Sequence, residues 1–154
     1  MNASFLSLSS PPLVSMIQCR TSGECIEKIR LSLSEGAEAF GVQLCQLARE
    51  ERTEENCSAV FRACENKPIY VTSYRYNLNI GLSDEECTDL LIKARLAGAT
   101  LLDVPADWFD ANECQVTDNP EAVEKQKELI AKLHGMGAEV LLSTHDLRDL
   151  SAEE

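Results

Sequence analysis

Residues 137–147, GAEVLLSTHDL, contain an uninterrupted apolar run that ends abruptly in polar residues at 143–146. A short apolar run without polar alternation is typical of a strand that is buried on both faces of a parallel sheet. The Gly-Ala pair that opens this stretch also precedes apolar runs at 36–37 and 98–99. The stretch is therefore interpreted as the last copy of a repeated unit, in which a helix ends at glycine and a strand follows.

Five apolar runs with the composition of strands are spaced along the chain. They cover residues 13–19, 39–44, 67–74, 99–104 and 138–143. Between them lie segments in which apolar residues recur at helical spacing. Strands that alternate with amphipathic helices predict parallel βαβ units.

Local capping signals mark where the helices begin. Thr21 with Glu24 and Ser83 with Glu86 have the spacing of capping boxes. Asn119 before Pro120 is a favourable N-cap followed by a first-turn proline, and Thr53 is the expected cap of the remaining helix. The predicted core-facing residues are Ile26, Ile29 and Leu33, then Val60, Phe61 and Cys64, then Leu90, Leu91 and Ala94, and finally Val123, Ile130 and Leu133.

Two architectures fit this pattern, a doubly wound sheet and the N-terminal part of a TIM (β/α)8 barrel with about five strands. We predict the α/β barrel arrangement over residues 13–154, preceded by a lead segment at 1–12. A complete flavodoxin-like domain is a further alternative. No glycine-rich phosphate-binding motif follows the first strand, which disfavours nucleotide binding. Ser151 and Glu154 repeat the capping-box pattern, so we expect the barrel to be incomplete, with a frayed acidic tail as the alternative.

Composition restricts the classes of function. The chain has 14 Lys and Arg against 26 Asp and Glu, which gives a net charge of −12. Because phosphate binding needs clustered basic side chains, we expect no nucleic-acid partner. The N-terminus lacks a basic signal-peptide region, and no apolar run approaches the ~18 residues that cross a bilayer. We therefore expect no membrane association and a cytoplasmic location.

The seven cysteines raise the question of disulfides or a metal centre. Their number is odd, no CxxC occurs, and no paired Cys or His stands at the short spacing that zinc sites use. We expect buried free thiols in a reducing compartment, with no metal and no cofactor.

Functional sites of parallel α/β folds lie at the carboxyl ends of the strands. His145 follows the fifth strand, where a proton-transfer residue would lie, although a loop histidine that only caps backbone is equally consistent. Arg75 follows the third strand and could hold an anionic substrate, or form a surface salt bridge instead. Arg20 and Asp103 are weaker candidates, and His134 is expected to be an exposed residue at a helix end.

Four stretches resemble type I 3-dehydroquinate dehydratase, a lyase of the shikimate pathway with a (β/α)8 barrel. They are GAEAFGVQL (36–44), KPIYVTSYR (67–75), AGATLLDV (97–104) and GAEVLLSTHDL (137–147). The last match is the best, because the family has an apolar strand followed by Ser, a variable residue, His, and an acidic or amide residue. The resemblance extends over about residues 13 to 150.

The resemblance implies a specific chemistry. In the family, a lysine amine forms a Schiff base with the substrate ketone, and the imine acts as an electron sink. A histidine then removes the neighbouring proton and helps water leave, a role that falls to His145 here. Contact with the anionic end of a small cyclic keto acid falls to Arg75, although Thr72 to Arg75 is one residue longer than the family's Thr-x-Arg spacing.

Several family residues are replaced. Asn79 lies where the histidine's acidic partner is expected, and the polar pattern that ends strand two is replaced at 41–45. The Asp-x-Glu of strand four is present only as Asp103. The Schiff-base lysine belongs one βα unit beyond the histidine. Five of the six lysines fall in predicted helices, and Lys67 lies at the opposite end of strand three.

The resemblance and these replacements together favour a dehydratase-like lyase whose present chain is incomplete and inactive alone. The alternative is a non-catalytic pseudoenzyme or ligand-binding half-barrel. Such a protein is expected to form a homodimer that covers its open sheet edges.

Overall fold

A computed structural model describes residues 3–145, and five parallel strands in it form one sheet. The strands are β1 Val14–Ile17, β2 Ala39–Gln43, β3 Ile69–Thr72, β4 Leu101–Pro105 and β5 Glu139–Ser143. The helices are α1 Ser22–Ser34, α2 Glu54–Arg62, α3 Asp84–Ala97 and α4 Pro120–Gly135. Short 3₁₀ turns lie at Phe5–Ser7, Leu44–Gln46, Arg49–Glu51 and Asn77–Asn79.

The strand order in the sheet is the order along the chain, β1-β2-β3-β4-β5. Because connections between parallel strands are right-handed, successive steps in one direction place all the helices on the same face. A doubly wound or flavodoxin-like sheet reverses its direction at a switch point, so both of those alternatives are wrong. The prediction of barrel-type (βα) repeats is confirmed. The described strands do not close into a barrel, since β1 and β5 have one strand neighbour each.

The helix boundaries follow the local capping signals. The side chains of Thr21 and Ser83 each accept a hydrogen bond from the backbone N–H of the glutamate three residues on. The side chain of that glutamate accepts one from the backbone N–H of the cap residue, so both capping boxes are confirmed. The Asn119 side chain accepts from the Glu121 N–H. Gly98 follows α3 with φ of 120°, a conformation that side chains with a Cβ rarely adopt.

The core lies between the sheet and the helices. Strand residues Ile17, Val42, Val71 and Leu102 are buried there. Val60 and Phe61 of α2 and Cys64, two residues after its end, are buried as predicted. In the other helices Ile29, Leu91, Ala94 and Leu133 are buried as predicted. Ile26, Leu33 and Leu90 are only partly buried and pack against this cluster. Each fully buried large aliphatic side chain contributes about 1.5–3 kcal/mol of apolar transfer free energy.

The predicted stripe of α4 was partly wrong. Val123 and Ile130 are only half-buried, and the buried residues are Ala122, Gln126, Leu129 and Leu133. Gln126 occupies an inward position because its amide donates to the carbonyls of Ala106 and Trp108, at 3.0 and 2.9 Å. A pattern that counts only apolar residues misses Gln126, so the buried face of α4 that it predicts is shifted by about one residue.

The residues before β1 lie across the amino ends of the strands. Ala3 N–H donates to the Asn66 carbonyl at 2.9 Å, and Ser4 Oγ and Phe5 N–H both donate to the Glu139 carboxylate. These contacts join the entry to β3 with the start of β5. The division into a lead segment at 1–12 and a domain at 13–154 stays a prediction.

All seven cysteines are free thiols, and six are buried, while Cys114 is partly exposed. Within residues 3–145 no group of His, Cys, Asp and Glu has the geometry of a metal site. None of the helices in that range is long and apolar enough to cross a membrane. The expected helix start at Ser151 and Glu154 lies outside the described residues.

Candidate functional site

The carboxyl ends of β3 and β5 bring Tyr74 and His145 into contact. Tyr74 Oη and His145 Nε2 lie 2.8 Å apart. Their ring centroids are 5.3 Å apart with an interplanar angle of 88°, an edge-to-face arrangement. Side chains alternate across a strand, so Tyr70 and Thr72 of β3 project from the sheet face opposite the helices. Tyr74, two residues beyond the end of β3, contacts His145 on the same side. His145 is therefore at the strand-end position that the sequence predicted for it.

Asp103 of β4 lies near this pair, on the same side of the sheet as Tyr70. Its carboxylate is fully buried, and Oδ2 accepts a hydrogen bond of 2.6 Å from the Tyr70 hydroxyl. Burial, and then the Asp103 carboxylate, raise the pKa of Tyr70 well above its usual range. The same two causes raise the pKa of Tyr74, while the Tyr70 and Ser143 hydroxyls lower it in part. Both phenols therefore stay protonated, and both can donate to the carboxylate.

This face of the sheet contains buried acceptors without partners. Among residues 3–145, five buried side-chain polar atoms make no hydrogen bond. Three of them, Thr72 Oγ1, Asp103 Oδ1 and Ser143 Oγ, belong to residues that the strand register places on the Tyr74 side. An unsatisfied buried polar group costs about 1–3 kcal/mol. A layer of this kind is typical of a site that completes its hydrogen bonds with a ligand or ordered water.

A cleft of ≈ 490 Å³ opens above this layer. Its lining residues are Tyr74, Tyr76, Gln115 and His145, which define the His145 cleft. Gln115 comes from the loop between β4 and α4, which Thr144 Oγ1 contacts through the Cys114 carbonyl at 3.3 Å. Among residues 3–145, the lining is aromatic and polar and contains no Asp, Glu, Lys or Arg side chain.

Arg75 does not line the cleft and instead forms ion pairs with two carboxylates. Its Nη1 lies 2.8 Å from Asp107 Oδ2, and its Nη2 lies 2.9 Å from Asp84 Oδ2. Burial opposes the charged form of Arg75, but hydrogen bonds and charges of Asp84 and Asp107 raise its pKa overall. The ion pair was one of the two interpretations of Arg75 in the sequence. Contact with a substrate anion stays a prediction.

Asn79, where the histidine's acidic partner was expected, is fully buried in a structural network. Its Nδ2 donates to the Tyr74 carbonyl at 2.7 Å and to Ser73 Oγ at 3.2 Å. Its Oδ1 accepts from Arg52 Nη1 at 2.6 Å. Burial, and then the charge of Arg49, lower the pKa of Arg52. Asn79 therefore holds the backbone of Tyr74 and does not contact His145.

The remaining sequence candidates do not join this cluster. Arg20 is exposed at the end of β1, and its carbonyl accepts from Ala48 N–H at 2.9 Å. His134 is exposed in the last turn of α4, as predicted. Tyr70 and Tyr74 were missed as site residues, although their alternation with Thr72 along one strand could have identified the face that they share.

No protein-family model matches the sequence, and no curated protein sequence matches it. Among the solved structures that resemble the chain are two enzymes. The 3-dehydroquinate dehydratase of Enterococcus faecalis has a TM-score of 0.66 and 18% identity, over 93% of this chain and 57% of that one. A phosphonopyruvate hydrolase has a TM-score of 0.53 and 17% identity, over 88% of this chain and 46% of that one. The chain thus spans about half the length of these enzymes, and the likeness establishes the fold alone.

Proposed function

We propose that this chain carries the proton-transfer half of the active site of a 3-dehydroquinate dehydratase-like lyase. The observation that supports it best is the position of His145, at the carboxyl end of β5, 2.8 Å from Tyr74 and open to a 490 Å³ cleft. The proposed reaction is the loss of water from a small cyclic β-hydroxy keto acid in the cytoplasm. His145 would take the proton next to the ketone and return it to the departing hydroxyl.

The lysines of the chain do not supply the amine that a Schiff base needs. Lys28 and Lys93 lie in α1 and α3, and Lys125, Lys127 and Lys132 lie in α4, all on the helical layer. Lys67 precedes β3, at the end of the sheet opposite the His145 cleft. The amine of the proposed lyase would therefore come from polypeptide other than these 154 residues.

The proposal is tested by adding 3-dehydroquinate to the purified chain under sodium borohydride and measuring the intact mass. We expect no adduct from the chain alone. Mixing it with the part of the Enterococcus faecalis enzyme that the structural match leaves uncovered should produce a trapped adduct on that second polypeptide. It should also produce the ultraviolet absorbance of a conjugated enone. His145→Ala should abolish the enone and leave the adduct, since imine formation does not need the histidine.

An adduct on the chain by itself would contradict the assignment of the amine. Absence of both adduct and enone in a mixture shown to be folded and associated would argue against the lyase itself.

A second candidate is the ligand-binding half-barrel that forms a homodimer without catalysis. The open sheet edges favour it, because Met16 on β1 and Leu141 and Leu142 on β5 are large apolar residues with 43–54% of their surface exposed. A second copy would cover these edges. Light scattering on the eluting protein should then give twice the 17.0 kDa chain mass. Leu142→Asp should restore the monomer, and a wild-type monomer would reject this candidate.

A further inference from the structure

The His145 imidazole is held by a phenol where a carboxylate was expected. Among residues 3–145, its one hydrogen-bonding contact is the 2.8 Å approach of Nε2 to Tyr74 Oη. The edge-to-face packing of the two rings, at 88°, also restricts rotation of the imidazole. Tyr74 is itself held from behind, since Asn79 Nδ2 donates to its carbonyl. The phenol therefore presents its oxygen to the histidine from a fixed position.

The direction of the hydrogen bond between Tyr74 and His145 depends on which acceptor takes the Tyr74 hydroxyl proton. If another acceptor takes it, the Tyr74 oxygen is free to accept a hydrogen bond from His145 Nε2–H. Asp103 is the nearby acceptor, because its carboxylate binds the hydroxyl of Tyr70, which comes four residues before Tyr74 on the same side of the sheet. Its charge also raises the pKa of the Tyr74 phenol, after burial does. Oδ2 of Asp103 is occupied by the Tyr70 hydroxyl, but Oδ1 is buried and has no partner in the described chain. An ionised carboxylate only accepts hydrogen bonds, so the free oxygen needs a donor.

We propose that Tyr74, backed by Asp103, is the positioning residue that fixes the tautomer of His145. The Tyr74 hydroxyl donates to Asp103 Oδ1, and its oxygen accepts the Nε2–H of His145. Nδ1 then carries the lone pair and is the atom that takes a proton from a substrate. When Nδ1 is protonated, the new positive charge is stabilised through Tyr74 by the negative charge of Asp103. This inference rests on the proposed function, for which it names the basic atom and its supporting residues.

The test is the tautomer of His145 in the full chain labelled with ¹⁵N-histidine. Long-range ¹H–¹⁵N correlations at a pH where the imidazole is neutral separate the two forms. We expect Nε2–H in the wild type, with a proton that exchanges about tenfold more slowly than in Tyr74→Phe, as one hydrogen bond of ordinary net strength would provide. Tyr76→Phe is the matched control, because Tyr76 lines the same cleft and should leave this exchange rate unchanged.

Asp103→Leu gives the sharper result. Without an acceptor behind it, the Tyr74 hydroxyl should turn and donate to Nε2, so the major tautomer should become Nδ1–H. Asp103→Asn, which keeps the size and a polar group, is the second variant in case Leu does not fold. A wild-type protein with Nδ1–H as its major form would overturn the proposal. So would equal exchange rates in Tyr74→Phe and Tyr76→Phe.

A titration of the same sample with 3-dehydroquinate separates this inference from the proposed function. The expected tautomer without ligand-induced shifts at His145 would support the positioning by Tyr74 and reject the substrate. Ligand-induced shifts with the opposite tautomer would support the substrate and overturn the positioning.

Discussion

Tyr74 and Arg75 are neighbours in the sequence, yet they belong to two different polar clusters. On the Arg75 side, the guanidinium donates to the carboxylates of Asp84 and Asp107, so its charge is compensated. On the Tyr74 side, buried oxygens of Thr72 and Asp103 have no partner. The first arrangement joins β3 to α3 and to the loop after β4, whereas the second leaves hydrogen-bonding capacity unused beside a cleft. Asp107 Oδ1 on the Arg75 side also has no partner, so what distinguishes the Tyr74 side is that three such oxygens, of Thr72, Asp103 and Ser143, share one sheet face beside the cleft.

The largest expected effect is on the Arg75 side. Asp107→Ala removes one of the two carboxylates from an almost buried ion pair, which leaves part of the arginine charge uncompensated. We expect the free energy of unfolding to fall by about 3 kcal/mol. Urea denaturation followed by circular dichroism measures it. Glu124→Ala is the control, because its ion pair with Lys127 is about two-thirds exposed on both sides and should cost less than about 0.5 kcal/mol. Equal losses of unfolding free energy in both variants would show that the ion pairs of Arg75 do not stabilise the fold.

The second largest effect concerns Cys64, a buried thiol in the core between the sheet and the helices. Burial raises the pKa of Cys64 from 9.0 to about 12. The unfolded chain therefore loses this proton at lower pH than the folded one, so stability is intact below about pH 9 and falls as the pH rises above it. Between about pH 8 and pH 10.5, under reducing conditions, the wild type should lose about 2 kcal/mol more than Cys64→Ala. Identical pH dependences of the two proteins would count against this assignment.

The smallest effect compares two buried threonines. Thr100 Oγ1 accepts from Ile69 N–H at 2.9 Å and donates to the Ile69 carbonyl at 3.0 Å, while Thr72 Oγ1 has no partner. Thr100→Val should cost about 1 kcal/mol, but Thr72→Val should be neutral or slightly stabilising, since valine has the same shape and no unsatisfied hydroxyl. Chemical denaturation of both variants is sufficient. A clear loss in Thr72→Val would mean that its hydroxyl is satisfied in solution.

Most of the local structure could be predicted from the sequence, because its determinants are a few residues apart. The capping boxes at Thr21 and Ser83 each use a partner three positions away, and both formed as expected. The stripe of α4 could not be predicted in the same way. Gln126 is buried only because two carbonyls of the β4–α4 loop meet its amide, and that contact spans 18 to 20 residues.

By itself, the sequence determined that the chain forms parallel βα units and that His145 follows a strand, because hydrophobic periodicity and capping are local properties. The tertiary structure decided the rest. Strand order selected the barrel-type sheet, and the segment that follows β3 directs Tyr74 to His145 and Arg75 to Asp84 and Asp107. Tyr74 and Arg75 have different roles because their side chains contact different partners. Those partners come close only when strands that are distant in the sequence pair.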